Sequence, residues 1–213
     1  MRKSKRKKCS LAIIILSLIS VAIYGQETKS EFDGHKWLAP YTLLAPKDWG
    51  IERFLIPIGF ALQIPYSGIE DIRFAPDWAQ VDSDEYWSYA FLWYLDGDIK
   101  MDCAIIEHNL KAYYTGLITI NGNKIPLEKI IPVEVSFKEV RTDTNDLKTF
   151  AGTIRMLDYM NQKPIVLNCK VHLKSCSGEN KTFVFYELSP KPISHNIWQS
   201  LDKLWYDFKC KKD

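Results

Sequence analysis

The sequence predicts an α+β domain, a mainly antiparallel sheet of about eight strands with two helices packed against it, spanning residues 37–210. Three observations predict it. Short segments of alternating apolar and polar residues follow one another at hairpin-length spacing. Only two segments carry apolar residues at helical spacing, and strands do not alternate with helices as a parallel α/β fold requires.

The chain opens on Arg2, Lys3, Lys5, Arg6, Lys7 and Lys8 with no acid among them, then runs apolar from Leu11 to Tyr24. A basic start, an apolar run of about 7–15 residues and small residues at a cut site are what a secretory signal peptide needs. Residues 1–25 are read as such a signal, with Ser20-Val21-Ala22 and Ile23-Tyr24-Gly25 both offering cleavage points. Extended from Cys9 to Gly25, the run reaches about 17 residues, close to the lower limit for crossing a bilayer. An uncleaved anchor over residues 9–25 is therefore the alternative to a secreted or periplasmic protein. Cys9 precedes the apolar run, which argues against a lipid-modified cysteine at the cut.

Of the 28 Lys and Arg, six lie in residues 1–25, leaving 22 basic against 26 acidic residues and a net charge of −4 beyond the signal. The basic balance of the whole chain thus belongs to the export segment. No Lys/Arg stripe follows it, so a nucleic-acid partner is not expected. About 188 residues remain, enough for one domain with a full core. Residues 26–36 form a polar leader expected to be disordered, as is the tail 211–213.

Residues 37–50 are rich in Trp and Pro and should be irregular but packed. Arg53–Ile64 reads as a strand interrupted at Pro57 and Gly59, which suggests a sheet edge or a bulge. Ile69–Phe74 is a short second strand, and Asp77–Glu85 an acidic loop. Tyr86–Leu95 is apolar on both faces, with Trp87, Tyr89, Phe91, Trp93 and Leu95 on one and Tyr86, Ser88, Ala90, Leu92 and Tyr94 on the other, as a central, doubly covered strand would be. A helix follows, carried by Cys103, Ile106, Leu110, Tyr113 or Tyr114 and Leu117, with Glu107 and Lys111 paired on the opposite side and Gly116 near its end. Asn121-Gly122 predicts a small hairpin over Ile118–Ile125. Strands are expected at Pro132–Arg141, Lys148–Leu157, Pro164–Lys174 and Lys181–Leu188. A last helix, capped by Ser194, carries the stripe Ile197, Leu201, Leu204, Trp205 and Phe208.

Four cysteines follow the signal, and an oxidising destination makes two disulfides and three connectivities available. Cys169 points inward from the strand Pro164–Lys174, and at about 3.3 Å per residue Cys176 lies roughly 20 Å further on, out of bonding range. A Cys176–Cys210 bridge is expected, stapling the end of the last helix to the turn Ser177–Asn180. Cys103 and Cys169 either pair or stay as buried thiols. No CxxC pair supports a metal site, and no cofactor is implied.

The candidate ligand-binding residues are Trp78, Trp87, Tyr89 and Trp93, a row on which sugars or lipid tails could stack; the same row, with Phe91, also suits a core. Asp82 and Asp84 are oxygen ligands of the kind calcium takes, but the glycine and distal Glu of an EF-hand are missing. Glu70 and Arg73 fall on opposite faces of their strand. Among the histidines His35, His108, His172 and His195, none belongs to an HExxH pattern, and no G-x-S-x-G motif occurs. Cys103 and His108 sit about 140° apart on their helix and cannot form a dyad. His172 shares a polar strand face with Asn168 and Lys170 and is read as a surface residue.

The run Gly68-Ile69-Glu70-Asp71-Ile72-Arg73-Phe74-Ala75-Pro76-Asp77-Trp78, followed by Glu85-Tyr86-Trp87-Ser88-Tyr89-Ala90-Phe91-Leu92-Trp93, resembles exported bacterial proteins grouped as a domain of unknown function. Ser189-Pro190 ahead of Ile197-Trp198-Gln199 is similar to them too. The resemblance spans most of the chain beyond the signal and implies no catalytic residue. Together these features lead to the expectation of a non-enzymatic module of the cell envelope that binds a small ligand or an envelope protein, meeting a membrane only through its N-terminal segment if that is kept. The alternative is a hydrolase using a carboxylate or histidine that sequence order does not reveal.

Overall fold

Residues 32–122, 124–142 and 145–211 are described by the computed structural model. Residues 1–25, read above as an export signal, residues 26–31 of the leader and residues 212–213 of the tail lie outside the described residues. In chain order the elements are β1 (Tyr41–Thr42), β2 (Gly50–Ile56), β3 (Gly68–Phe74), β4 (Tyr89–Asp96), α1 (Cys103–Asn121), a single 3-10 turn (Leu127–Lys129), β5 (Glu134–Val140), β6 (Lys148–Asp158), β7 (Lys163–Lys174), β8 (Lys181–Ser189), α2 (Ile197–Tyr206) and β9 (Lys209–Cys210).

Strands β2 to β8 form one antiparallel sheet in the order β2-β3-β4-β8-β7-β6-β5, while β1 and β9 pair separately. Two meanders therefore meet at β4 and β8, which are joined over Tyr89↔Leu188 to Asp96↔Lys181. The segment from β4 to β5, containing α1, crosses the sheet. Alternation then decides the layers. Tyr89, Phe91, Trp93 and Leu95 of β4, with Val184, Tyr186 and Leu188 of β8, meet Ile106, Leu110, Tyr113, Tyr114 and Ile118 of α1 in one core. Ala90 and Leu92, with Phe183 and Phe185, meet Trp198, Leu201, Leu204 and Trp205 of α2 in the other. The central strand is thus covered on both faces, as its double apolar pattern predicts. Aromatic stacking tightens each layer: Phe91 lies on Tyr186 at 4.4 Å between ring centroids, and Trp205 on Phe185 at 5.0 Å.

β2 is an edge strand and stops at Ile56, because Pro57 brings no N–H to continue the ladder. On the α2 side of β3, Asp71 is buried against Arg73 and Arg53 and accepts from the Tyr41 hydroxyl at 3.1 Å. Arg73 also donates to the Leu43 carbonyl at 2.8 Å, so this ion cluster anchors the segment before β2. The end of the polar leader is ordered, contrary to expectation: Phe32–Lys36 leads into a turn closed by the Lys36 and Trp37 amides on the Asp33 carbonyl, and Arg53 donates to the Gly34 carbonyl. The Cys176–Cys210 disulfide is present and ties the β7–β8 turn to β9; Cys103 and Cys169 are free thiols.

Two local expectations are corrected. Asn121-Gly122 closes no hairpin. It ends α1, with the Asn121 amide donating to the Leu117 carbonyl and the Gly122 N–H to the Ile118 carbonyl, so a turn signal serves as a helix stop. Gly116 lies inside the helix, because its missing side chain admits the backbone of Phe60; a Cβ there would sit 1.9 Å from the Phe60 carbonyl oxygen. The second correction concerns α2, which starts at Ile197, after turns over residues 192–195, with no side-chain cap from Ser194. Its apolar stripe is as predicted. Glu107 of α1 accepts the Phe137 N–H at 2.7 Å and so fastens the helix to β5.

Candidate functional site

Beneath the C-terminal half of α1, where the edge strand β2 and its neighbour β3 run past the helix, a cavity of about 600 Å³ opens. Because β2 pairs with β3 as Glu52↔Ile72 and Phe54↔Glu70, the even-numbered residues of both strands share its face. Glu52 and Phe54 come from β2, Glu70, Ile72 and Phe74 from β3, Tyr89 from the start of β4, Tyr113 and Leu117 from α1, and Phe60 from the loop that Gly116 admits. Trp78 and Tyr159 complete the aromatic wall, Trp78 stacking on Phe74 at 4.5 Å.

Glu70 carries the chemistry of this site. Its side chain is only 1% exposed, and the lining otherwise offers it apolar neighbours. Burial is the main cause that raises its carboxyl, to about 7, and the nearby Glu52 charge adds to it; hydrogen bonds from Tyr113 and Trp93 favour the ionised form but are outweighed. The Trp93 indole N–H reaches Oε1 at a long 3.5 Å. The Tyr113, Tyr89 and Tyr186 hydroxyls around it are themselves pushed well above the phenolic range by burial, so they remain neutral. Glu52 lies at the exposed rim. Among the described residues no Lys, Arg or His belongs to the lining.

The row of predicted ligand-binding aromatics divides in two. Trp78 and Tyr89 line the cavity. Trp87 and Trp93, 1% and 0% exposed, stand behind it in the core: Trp87 packs edge-on against Trp78 and Tyr159, and Trp93 supports Glu70. There is no exposed aromatic platform along β4. Glu70 is legible as the lone acid on the apolar face Glu70-Ile72-Phe74, whereas the contributions of Phe60, Tyr113 and Tyr159 depend on tertiary contact.

A second concentration of ionisable groups lies on the opposite face, under α2. His172 is 8% exposed, so it is not the surface residue that its polar strand face suggests: α2 docks over that face. Its Nδ1 meets Asp146 Oδ2 at 2.8 Å and its Nε2 faces Glu187 Oε1 at 3.5 Å, an ion-pair distance. Burial alone would lower the imidazole, but Asp146 and Glu187 more than offset it and raise it to about 9. Trp205 donates to Asp146 at 3.0 Å, and Lys170 bridges Asp202 and Glu187. Asp146 takes Nδ1 by a hydrogen bond, while Nε2 has no hydrogen-bond partner among the described residues and lies buried at ion-pair distance from Glu187. The cluster fastens α2 to β7 and β8.

A larger, more open groove of about 770 Å³ runs between the end of α1 and residues 125–133, lined by aliphatic side chains, threonines and Lys111. Among the described residues no buried polar side chain lines it. Among the described residues no cluster of three or more His, Cys, Asp or Glu has metal-site geometry, and no helix is long and apolar enough to cross a membrane. No family model, curated protein or solved structure matches the chain.

Proposed function

We propose that the protein is a non-enzymatic ligand-binding module, exported to the cell envelope or beyond, that holds one small and largely apolar molecule in the cavity beneath α1. The observation that carries this reading is the cavity itself: about 600 Å³, aromatic-walled, with a buried carboxyl at its base. Ligand sites of this kind are concave, mostly apolar, typically about 300–1,000 Å³, and carry a few polar groups that fix orientation. The basic and apolar N-terminal pattern and the Cys176–Cys210 disulfide support an oxidising destination.

The test is titration with the neutral fluorophore N-phenylnaphthylamine. Saturable binding of one equivalent is expected, and Leu117→Trp, which fills the cavity from α1, should abolish it. Unchanged binding by Leu117→Trp would remove the cavity from consideration. One observation favours a hydrolase instead: Glu70, raised to about 7, faces the same cavity as Glu52, a pairing that acid–base catalysis uses. That reading requires turnover of a glycoside or ester that both Glu70→Gln and Glu52→Gln abolish.

A further inference from the structure

We infer that the ligand is a hydrophobic ammonium, an amine or quaternary nitrogen on an apolar body, whose positive charge sits against Glu70 and the surrounding aromatic faces. This rests on the ligand-binding reading above and names the class of molecule bound. Three observations lead to it.

The fold compensates its other buried carboxylates. Asp71 has Arg73 and Arg53, Asp146 has His172 and Lys174, and Glu187 has His172 and Lys170. Asp158, without a cation, accepts from the Tyr86 hydroxyl and from two backbone amides. Glu70 has neither arrangement: among the described residues no cation and no backbone N–H reaches it, and its support is limited to Tyr113 and Trp93. A buried carboxylate left in this way is costly unless a charge or donors arrive from elsewhere.

The cavity can supply that charge only through its occupant. Among the described residues its ionisable lining includes Glu52 and Glu70 but no basic side chain, so an anionic head such as a fatty acid's would meet two negative groups and no positive one among them. Its walls, in turn, suit a cation. Phe74, Trp78, Tyr89 and Tyr113 present π-systems around the same space, and aromatic faces combined with carboxylates are the chemistry that recognises ammonium groups. The remaining apolar lining, Phe54, Ile58 and Leu117, suits a hydrocarbon body.

The experiment uses the chain beyond the signal at pH 8 and three ligands of one chain length: octyltrimethylammonium, octanol and octanoate, each below its micelle concentration, titrated by calorimetry or tryptophan fluorescence. The cation should bind about tenfold more tightly than the alcohol, and octanoate more weakly than either. In Glu70→Gln the preference for the cation over octanol should fall to near unity while octanol binding persists, which also shows that the variant is folded. Glu52→Gln, at the exposed rim, should reduce the preference by about twofold. Equal binding of the three by the wild type, or tightest binding of octanoate, would overturn the ammonium assignment and leave the apolar cavity standing. Binding of none would remove both. The wild-type ranking decides the matter even if Glu70→Gln fails to fold.

Discussion

Glu70→Gln should make the protein more stable than the wild type at pH 8 and leave it nearly unchanged at pH 5. The reason is that the carboxyl is held at about 7 in the folded chain, chiefly by burial, against 4.5 ordinarily. Between those two values the folded state binds more protons than the unfolded one, so stability falls as pH rises. At about 1.4 kcal/mol per pH unit, the whole effect is about 3 kcal/mol, most of it between pH 5 and pH 8. The side chain is 1% exposed, so solvent screening removes little of it. The groups facing Glu70 do not cancel the effect: Tyr113 and Tyr89 stay neutral, and Glu52 pushes in the same direction. Glutamine keeps the shape of the protonated acid and cannot ionise. Urea denaturation of both proteins at half-unit pH intervals isolates the residue, because every other titrating group is shared. A difference between the two that widens toward pH 8 is expected, equivalent to a change of about 10 °C in midpoint temperature. A difference that stays constant with pH would refute the claim that Glu70 is an uncompensated buried carboxyl. Saturating octyltrimethylammonium should flatten the wild-type slope, since an ammonium in the cavity supplies the missing charge.

Two further predictions concern the opposite face. His172 is raised from 6.5 to about 9 despite its burial, so it contributes stability in full below pH 6.5 that is lost as pH rises through 9. The effect amounts to about 3 kcal/mol, which His172→Gln removes at low pH and not at pH 10, while NMR titration of the imidazole in the wild type should give a midpoint well above 6.5. The Cys176–Cys210 bridge spans a sequence separation of 34, for which loop closure predicts about 4 kcal/mol. The double serine variant should lose about that much in urea, and equal midpoints with and without reductant for the wild type would contradict a structural role.

What the sequence revealed, and what it did not, follows from how far each signal reaches. Alternation along β4 and β7 assigns every side chain to a face from the strand alone, and both assignments hold in the fold: Tyr89, Phe91 and Trp93 share one core, and His172 lies on the opposite face from Cys169. Alternation says nothing about what covers a face. His172, with Asn168 and Lys170, reads as exposed until α2 is placed over it, and that docking depends on contacts such as Trp205 with Asp146, 59 residues apart in sequence. Asn121-Gly122 fails for a related reason. The pair favours a tight turn locally, but Ile118 continues the buried stripe of α1 and carries the helix past Gly116 to Asn121. Gly116 looks like a helix end because nothing in its neighbourhood shows the Phe60 backbone, more than fifty residues earlier, that needs the space.

The two sides of β3 place two adjacent acids in opposite settings. Glu70 and Asp71 are adjacent, equally buried and of the same charge, but the pleat turns them to opposite faces. Asp71 meets Arg73, Arg53 and the Tyr41 hydroxyl, a closed set of partners that pins the segment before β2 to the sheet. Glu70 meets a cavity. If burial of acids here were a tolerated defect, the cheaper arrangement would be an apolar residue, since Ile72 and Phe74 already make that face apolar. A carboxyl kept without a cation, in the wall of the space that an ammonium would fill, is destabilising in the empty protein and relieved in the loaded one. On the ammonium proposal, binding energy and folding energy are linked at this one side chain. Replacing Asp71 by Asn should strand buried Arg73 and half-buried Arg53 and cost about 3–5 kcal/mol, whereas Glu70→Gln should cost nothing in stability and remove the discrimination between charged ligands. Equal losses of stability from the two replacements in parallel urea titrations would show that both acids serve the fold alone.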